Sequence, residues 1–530
     1  MFVNVKPVTR AVNVDGSSDA QGEFIGSASM HPVTPTGAIA KVSNVYACMR
    51  LPNHNQSFTY DQLGYVEAAQ DDSGLVSMWD YVNAVIEKSE TLYEALSDFW
   101  PEKDSPFSSD DLAGIHALPS EVKERFVFNT LFFQKAADLA RQLPLHFPQG
   151  EIPKLTIGTP SSITFSRSQA ASIVAHMMLC TLTNQKTGAD QQHWNDWWAN
   201  FGPWFHQHTQ PTTTYATALF HYVDQINDFH PDVLNAPIKF TRLVQAPFND
   251  WHTDDSLFKV VEILQQDPQL AALEQPGVVE LSFANKDVGF GISGTQEERL
   301  MGMSPELCLA MLLSPRLADH EGLLIEGAMP AGICSGFGRG VEWVSCLPDT
   351  AKQTDWQQRT VLVLDAVELD EYQADEESQA DEESIDNTAS SVPFPDLHPT
   401  LIDRELNKLF CGLSAVSGRK LLTGHWGCGA FGGNREVKAL LQMIAAARAN
   451  VQLAFYDVPE GGSPDPSVAT FGQQLSDFSE SLQRHGVSNG VLYQSLRDLR
   501  IADFELQKSV FNILSQRLFS EEKQDLKRQY

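Results

Sequence analysis

The sequence predicts an α/β protein whose N-terminal part is mostly helical, and three observations carry that prediction. From about residue 277, short β-rich runs alternate with helical runs, the pattern of a layered domain with at least partly parallel strands. Ahead of it, from about 76 to 143, apolar residues recur at helical spacing. Two glycine-rich loops then interrupt the α/β part, each directly after a β-like run.

In chain order, residues 1–45 are polar and rich in Gly, Ser, Thr and Pro and read as a loose leader. Residues 46–250 read as a helical accessory domain. Phe126, Phe128, Phe132, Phe133, Ala136, Leu139, Ala140 and Leu143 form one broad apolar face, and Ser166 with Gln169 has capping-box spacing at the start of a further helix. The segment 193–208 carries His193, Trp194, Trp197, Trp198, Trp204, His206 and His208. No Cys or carboxylate at ligand spacing joins the last two histidines, so it reads as an aromatic packing insert rather than a metal site. Residues 251–530 read as the α/β domain, with strands over 278–283, 323–328, 341–347, 360–367, 421–423 and 451–456. Ser304 as cap and Pro305 at the first turn predict a helix over 305–313, and an amphipathic helix covers 437–449. Between Asp365 and Asp386 there are eleven acids and no Lys or Arg, and Gln-Ala-Asp-Glu-Glu-Ser occurs twice. Such a block repels itself, so an acidic disordered insert is expected at about 368–395.

At 530 residues the chain exceeds what one hydrophobic core supports, and two or three domains are expected. The 42% apolar content is that of a folded protein. No apolar run reaches transmembrane length and no secretory signal opens the chain. The seven cysteines include no CxxC pair, which points to reduced thiols in an intracellular, cytoplasmic protein, with the nucleus left open. A net charge of −31 argues against direct binding to DNA, RNA or anionic membrane. An anionic substrate must then be held by backbone dipoles and a few local cations.

The run Phe283-Ala-Asn-Lys-Asp-Val-Gly-Phe-Gly-Ile-Ser-Gly-Thr-Gln-Glu-Glu298 leads from a strand through a turn with Gly289, Gly291 and Gly294 to adjacent carboxylates, Glu297 and Glu298. Glycines let a backbone approach a ligand and offer its N–H groups, and a carboxylate at the end of such a loop can act as acid or base. The second loop, Thr423-Gly-His-Trp-Gly-Cys-Gly-Ala-Phe-Gly-Gly433, lies between a β-like run and a helix, the arrangement of a phosphate or diphosphate site. Its Gly427–Gly432 stretch also fits GxGxxG, with Asp457 ending the next strand, so a dinucleotide-dependent oxidoreductase is a competing, weaker expectation. Cys428 in this loop reads as packing rather than as a nucleophile.

With both loops in hand, the chain resembles the poly(ADP-ribose) glycohydrolase family. The likeness is carried by Phe283-Ala284-Asn285 with Gln296-Glu297-Glu298, by residues 423–434 with Lys438 and the Ala-rich helix behind, by Arg404-Glu-Leu-Asn-Lys408 and by Leu364-Asp-Ala366, and more weakly by 128–182. It covers roughly residues 120–510. The resemblance implies a macrodomain-like three-layer core with a mixed sheet and a helical domain packed on it. It implies hydrolysis of ribose–ribose O-glycosidic bonds of ADP-ribose polymer, with Glu298 as acid/base. Neighbouring side chains diverge, so Glu297 is cast as the ribose-positioning carboxylate rather than as an opposing partner of the kind glycosidases place across the bond. Asn285, Gly289, Gly291, Gln296 and Phe337 are expected against the substrate, with Gly427, Cys428, Gly429, Ala430 and Phe431 at the diphosphate and Tyr456 at the adenine. No cofactor or metal is implied. The expected partner is poly(ADP-ribose) or ADP-ribosylated protein, and the expected state a monomer.

The chain departs from the family pattern at Ser282, Phe290, Phe337, His425 and Asn434, and the stretch before Gln296 is short. Phe290 stands where the family has a third glycine, and Phe337 where it has a tyrosine. Loss of one good polar contact costs about 1–3 kcal/mol, so a catalytically weak or inactive ADP-ribose-binding module is the alternative expectation.

Overall fold

The computed structural model describes residues 48–54, 57–59, 75–99, 112–182, 200–350, 354, 356–369, 392–457, 470–505 and 509–519. The loose leader, most of the acidic insert, and His193, Trp194, Trp197 and Trp198 lie outside the described residues. Eight strands form the main sheet: β1 (Ser161–Ser166), β2 (Pro237–Val244), β3 (Glu262–Leu264), β4 (Val279–Ala284), β5 (Glu321–Glu326), β6 (Thr360–Asp365), β7 (Lys420–Thr423) and β8 (Gln452–Tyr456). Their order is β1-β2-β5-β6-β4-β7-β8-β3. Pairs from β1 to β6 are antiparallel, and pairs from β6 onward to β3 are parallel.

The helices that bear on the site are α1 (Thr130–Arg141), α2 (Arg167–Met178), α3 (Gly202–His206), α4 (Gln210–Ile226), α5 (Pro268–Glu274), α6 (Gln296–Gly302), α7 (Pro399–Ser414), α8 (Arg435–Ala449) and α9 (Phe471–Arg484). Alternation along the strands decides which layer each side chain enters. Val361 and Val363 of β6 belong to the same buried cluster as residues of α1, α2 and α4, whereas Leu362 and Leu364 belong to the cluster that includes α7, α8 and α9. Every residue of β6 is buried, as expected for a strand covered on both faces. The result is three layers: helices, mixed sheet, helices.

Several local expectations hold. Ser166 and Gln169 form both halves of a capping box, and the helix expected over 437–449 is present as α8; its start is capped by Asn434, whose side chain accepts from Glu436 N and Val437 N at 3.0 and 3.1 Å.

Others change. The strands β1 and β2 come from the stretch read as helical, so the sheet begins before residue 250. Their signal was the short alternation of Ile163 with Phe165 and of Ile238 with Phe240. The helix expected over 305–313 is broken into a 3-10 turn (Leu307–Leu309) and one α turn (Ala310–Leu313). Ser304 does not cap it, because its hydroxyl accepts from Arg359 Nη1 at 3.0 Å, and Glu306 is drawn into a buried pair with Arg167 at 2.9 Å. The run expected over 341–347 gives Glu342–Cys346, which among the described residues pairs only with Gly332–Ser335 in a separate hairpin.

Candidate active site

The parallel pairing of β4 with β7 places the ends of both strands side by side, and the two glycine loops leave from those ends. The cleft between them has a volume of about 690 Å³. Asn285, Gly289, Gly291, Gln296, Glu297, Glu298, Phe337, Gly427, Cys428, Gly429, Ala430, Phe431 and Tyr456 all line it. Thus every site residue expected from the sequence reaches one cavity, although the two loops are more than a hundred residues apart.

The first loop is built around the start of α6. Gln296 brackets this helix to β4: its Oε1 accepts from Phe283 N at 2.8 Å and its Nε2 donates to Leu281 O at 2.9 Å. Glu297 turns inward, is 7% exposed, and accepts from Asn285 N at 2.9 Å and Gly289 N at 3.1 Å. Burial pushes its carboxyl up to about 8, against those two N–H groups, with the charges of Glu298 and Asp365 adding to the rise. Glu298 turns the other way. Its Oε2 accepts from Thr295 N at 3.1 Å, from Thr295 Oγ1 at 2.9 Å and from Ser293 Oγ, and its Oε1 accepts from Ser293 N at 3.3 Å. Thr295 and Glu298 form a capping box. Ser293 and Thr295 escaped the sequence reading, yet Thr-x-x-Glu was a legible signal.

The glycines of this turn leave room for neighbouring side chains and supply no special backbone conformation: neither Gly289 nor Gly291 has positive φ. A Cβ on Gly291 would overlap the Glu298 carboxylate, and one on Gly289 would lie 2.8 Å from Met311. Phe290, one of the departures from the family pattern, packs its ring against Phe201 and Trp204 at 5.0 and 4.8 Å. Asn285 donates its side-chain amide to Glu368, a residue the sequence did not single out.

The second loop is held from behind. Trp426 is buried and donates Nε1–H to Leu364 O at 3.0 Å. Gly427 has φ +74°, which turns the chain sharply, and Gly433 N closes the loop onto Gly427 O at 2.9 Å. Among the described residues the amides of Gly429, Ala430 and Phe431 make no backbone hydrogen bond, so three consecutive donors stand ahead of α8. Burial pushes the Cys428 thiol up to about 12, which fits packing and not nucleophilic chemistry. Phe337 and Tyr456 form an aromatic wall with ring centroids 6.2 Å apart, and the Arg299 guanidinium lies 4.6 Å over Phe337. Arg299, paired with Asp267 at 2.8 Å, and Arg435 are the cleft's cations.

His425 pairs with Asp457 at 3.1 Å, and Asp457 also accepts from Gly472 N at 2.8 Å. Burial raises the Asp457 carboxyl, but these hydrogen bonds outweigh it and hold the group below its usual range. The acid that suggested a ribose contact of a dinucleotide fold is therefore engaged with His425 and the start of α9.

Residues 248–461 match the family model for the poly(ADP-ribose) glycohydrolase macro domain fold, and residues 120–242 match the model for the helical domain of the same enzymes. The chain belongs to the poly(ADP-ribose) glycohydrolase family. Poly(ADP-ribose) glycohydrolase 1 of Caenorhabditis elegans is 24% identical over 57% of this chain and 38% of its own length. Poly(ADP-ribose) glycohydrolase 2 of the same organism is 24% identical over 63% of this chain and 69% of its own. The chain thus spans little more than a third of the first of these relatives. The glycohydrolase from Deinococcus radiodurans in complex with ADP-ribose is similar at 14% identity over 46% of this chain and 95% of that one, with a TM-score of 0.29.

Proposed function

We propose that this family member hydrolyses the ribose–ribose O-glycosidic bond of poly(ADP-ribose) and releases ADP-ribose. The observation that carries the reading is the convergence of the Glu297–Glu298 turn and the 427–431 loop on one cleft. The amides of Gly429, Ala430 and Phe431 grip the diphosphate, and the wall of Phe337 and Tyr456 stacks the adenine. Asn285 and Glu297 orient the ribose. Glu297 stays neutral up to about pH 8, so it can donate to a ribose hydroxyl. Glu298 gives a proton to the leaving ribose oxygen as an oxocarbenium-like centre forms. The resulting carboxylate then takes a proton from the attacking water. One residue serves both steps because its neighbour points to the opposite side of the turn.

The test is incubation of purified protein with poly(ADP-ribose) and chromatographic measurement of free ADP-ribose. Wild type is expected to release it, and Glu298→Gln to bind ADP-ribose without release. No release by wild type, or equal release by Glu298→Gln, refutes the assignment. A binding module without turnover is the second reading, favoured by the four donors that tether Glu298 as a helix cap. Calorimetry showing ADP-ribose binding by a protein that releases nothing selects it. The free thiols of Cys180, Cys308, Cys334, Cys346, Cys411 and Cys428 support a cytoplasmic location, which cell fractionation tests.

A further inference from the structure

The turn that carries Glu298 is held from two sides. On the cleft side its N–H groups and hydroxyls, from Ser293 and Thr295, hold the Glu298 carboxylate. On the far side its carbonyls face the helical layer. Trp204 of α3 donates Nε1–H to Gly291 O at 2.7 Å, and Tyr215 of α4 donates its hydroxyl to Ser293 O at 2.9 Å. Phe290 anchors the same turn by packing against both Phe201 and Trp204. Tyr215 is itself fixed. Its ring lies against Gly302 at the end of α6, where a Cβ would overlap it, and Trp204 packs on it at 5.4 Å. Trp204 and Tyr215 are buried and do not line the cleft.

We propose that Tyr215 and Trp204 are positioning residues: through Ser293 O and Gly291 O they set the place of the Glu298 carboxylate, so the helical layer directly determines the geometry of the catalytic turn. This rests on Glu298 being the acid/base. Ser293 is the link, since its carbonyl is held by Tyr215 while its N–H and hydroxyl hold Glu298. The Tyr215 phenol is pushed well above its usual value, first by burial and then by the nearby Glu298 charge, so it stays a hydroxyl donor throughout the working range. The Phe290 ring gives the turn a further grip on the helical layer.

Loss of either donor leaves a carbonyl unanchored and lets the turn relax. A displacement of about 1 Å at a reacting group can cost about a hundredfold in rate. The experiment compares wild type, Tyr215→Phe, Trp204→Phe and Tyr222→Phe. Tyr222 lies on the same helix and its buried hydroxyl donates to Glu306 at 3.1 Å, away from the cleft. For Tyr215→Phe and Trp204→Phe we expect kcat to fall by about tenfold or more. KM and the Kd for ADP-ribose should stay within about twofold, because diphosphate and adenine contacts lie on other elements. Amide hydrogen exchange over 288–296 should quicken in these two variants only. Tyr222→Phe should lower Tm and leave kcat unchanged.

The proposal is overturned if Tyr215→Phe keeps wild-type kcat, whatever its exchange. It is overturned equally if Tyr222→Phe loses as much kcat, or if KM and Kd collapse together with kcat, since those results describe a general structural role. A wild type that releases no ADP-ribose refutes the glycohydrolase reading instead. The exchange comparison then decides whether Tyr215 and Trp204 hold the turn, and unchanged exchange overturns that as well.

Discussion

Replacing Glu297 by Gln keeps the size and shape of the side chain and removes a titratable carboxyl from a buried position. Glu297 is 7% exposed, and burial lifts its carboxyl from 4.5 to about 8. Between those values the folded protein keeps a proton that the unfolded chain releases. This contribution to stability is fully present below about pH 4.5 and is lost as pH rises toward about 8. The slope is about 1.4 kcal/mol per pH unit, so from pH 5 to pH 8 wild type loses on the order of 4 kcal/mol from this group. The glutamine carries no proton and lacks the slope. It can accept from only one of the N–H groups of Asn285 and Gly289, a loss of about 1–3 kcal/mol. Glu297→Gln should therefore be the less stable protein at pH 5, draw level in between, and be the more stable at pH 8. Urea unfolding of both proteins at pH 5, 6, 7 and 8 measures this. Their difference cancels other titrations, including those of His176 and His221, which burial pushes down to about 4. A difference that stays constant within about 0.5 kcal/mol across the range refutes the raised carboxyl and with it the neutral Glu297 of the mechanism.

Three further substitutions probe other parts of the cleft. Gly291→Ala introduces a methyl that overlaps the Glu298 carboxylate; turnover should fall about a hundredfold or more while circular dichroism stays native, and a wild-type kcat contradicts the placement of Glu298. Gly427→Ala forces a side chain into φ +74° with Ala366 Cβ only 2.8 Å away. It should cost about 1–3 kcal/mol in thermal denaturation and weaken ADP-ribose binding measured by calorimetry, whereas unchanged affinity removes the loop from the diphosphate site. Lys438→Met strips the cation from Glu405 and from Asp396, 3.1 Å away, in a fully buried cluster behind the loop; a loss of about 3–5 kcal/mol in denaturant unfolding is expected, and a loss under about 1 kcal/mol shows the carboxylates to be compensated otherwise.

Much of this site was legible in one dimension because its parts are contiguous. Strand β4 runs into the turn, the turn into the Thr295 cap and the cap into Glu297 and Glu298 within twenty residues, and Gly427 to Asn434 leads into α8 in the same way. Glycine spacing, adjacent carboxylates and cap residues are local chemistry, so the sequence by itself determined which groups the two loops present. It also carried the Thr295–Glu298 spacing. The sheet order was beyond it, since nothing in either loop states that β4 and β7 are neighbours, and that adjacency alone unites the two loops in one cleft. Side-chain competition was beyond it too. Ser304 had the right residue type and place to cap a helix, and Arg359, more than fifty residues on, took its hydroxyl. Phe290 stood as a departure in a glycine run until the fold placed the stacked Phe201 and Trp204 against it. Tyr215 and Trp204 reach the turn across 78 and 87 residues of chain. Periodicity and propensity act over a few residues, whereas these contacts form only when separate layers are packed together, so the tertiary structure decided how the catalytic turn is held.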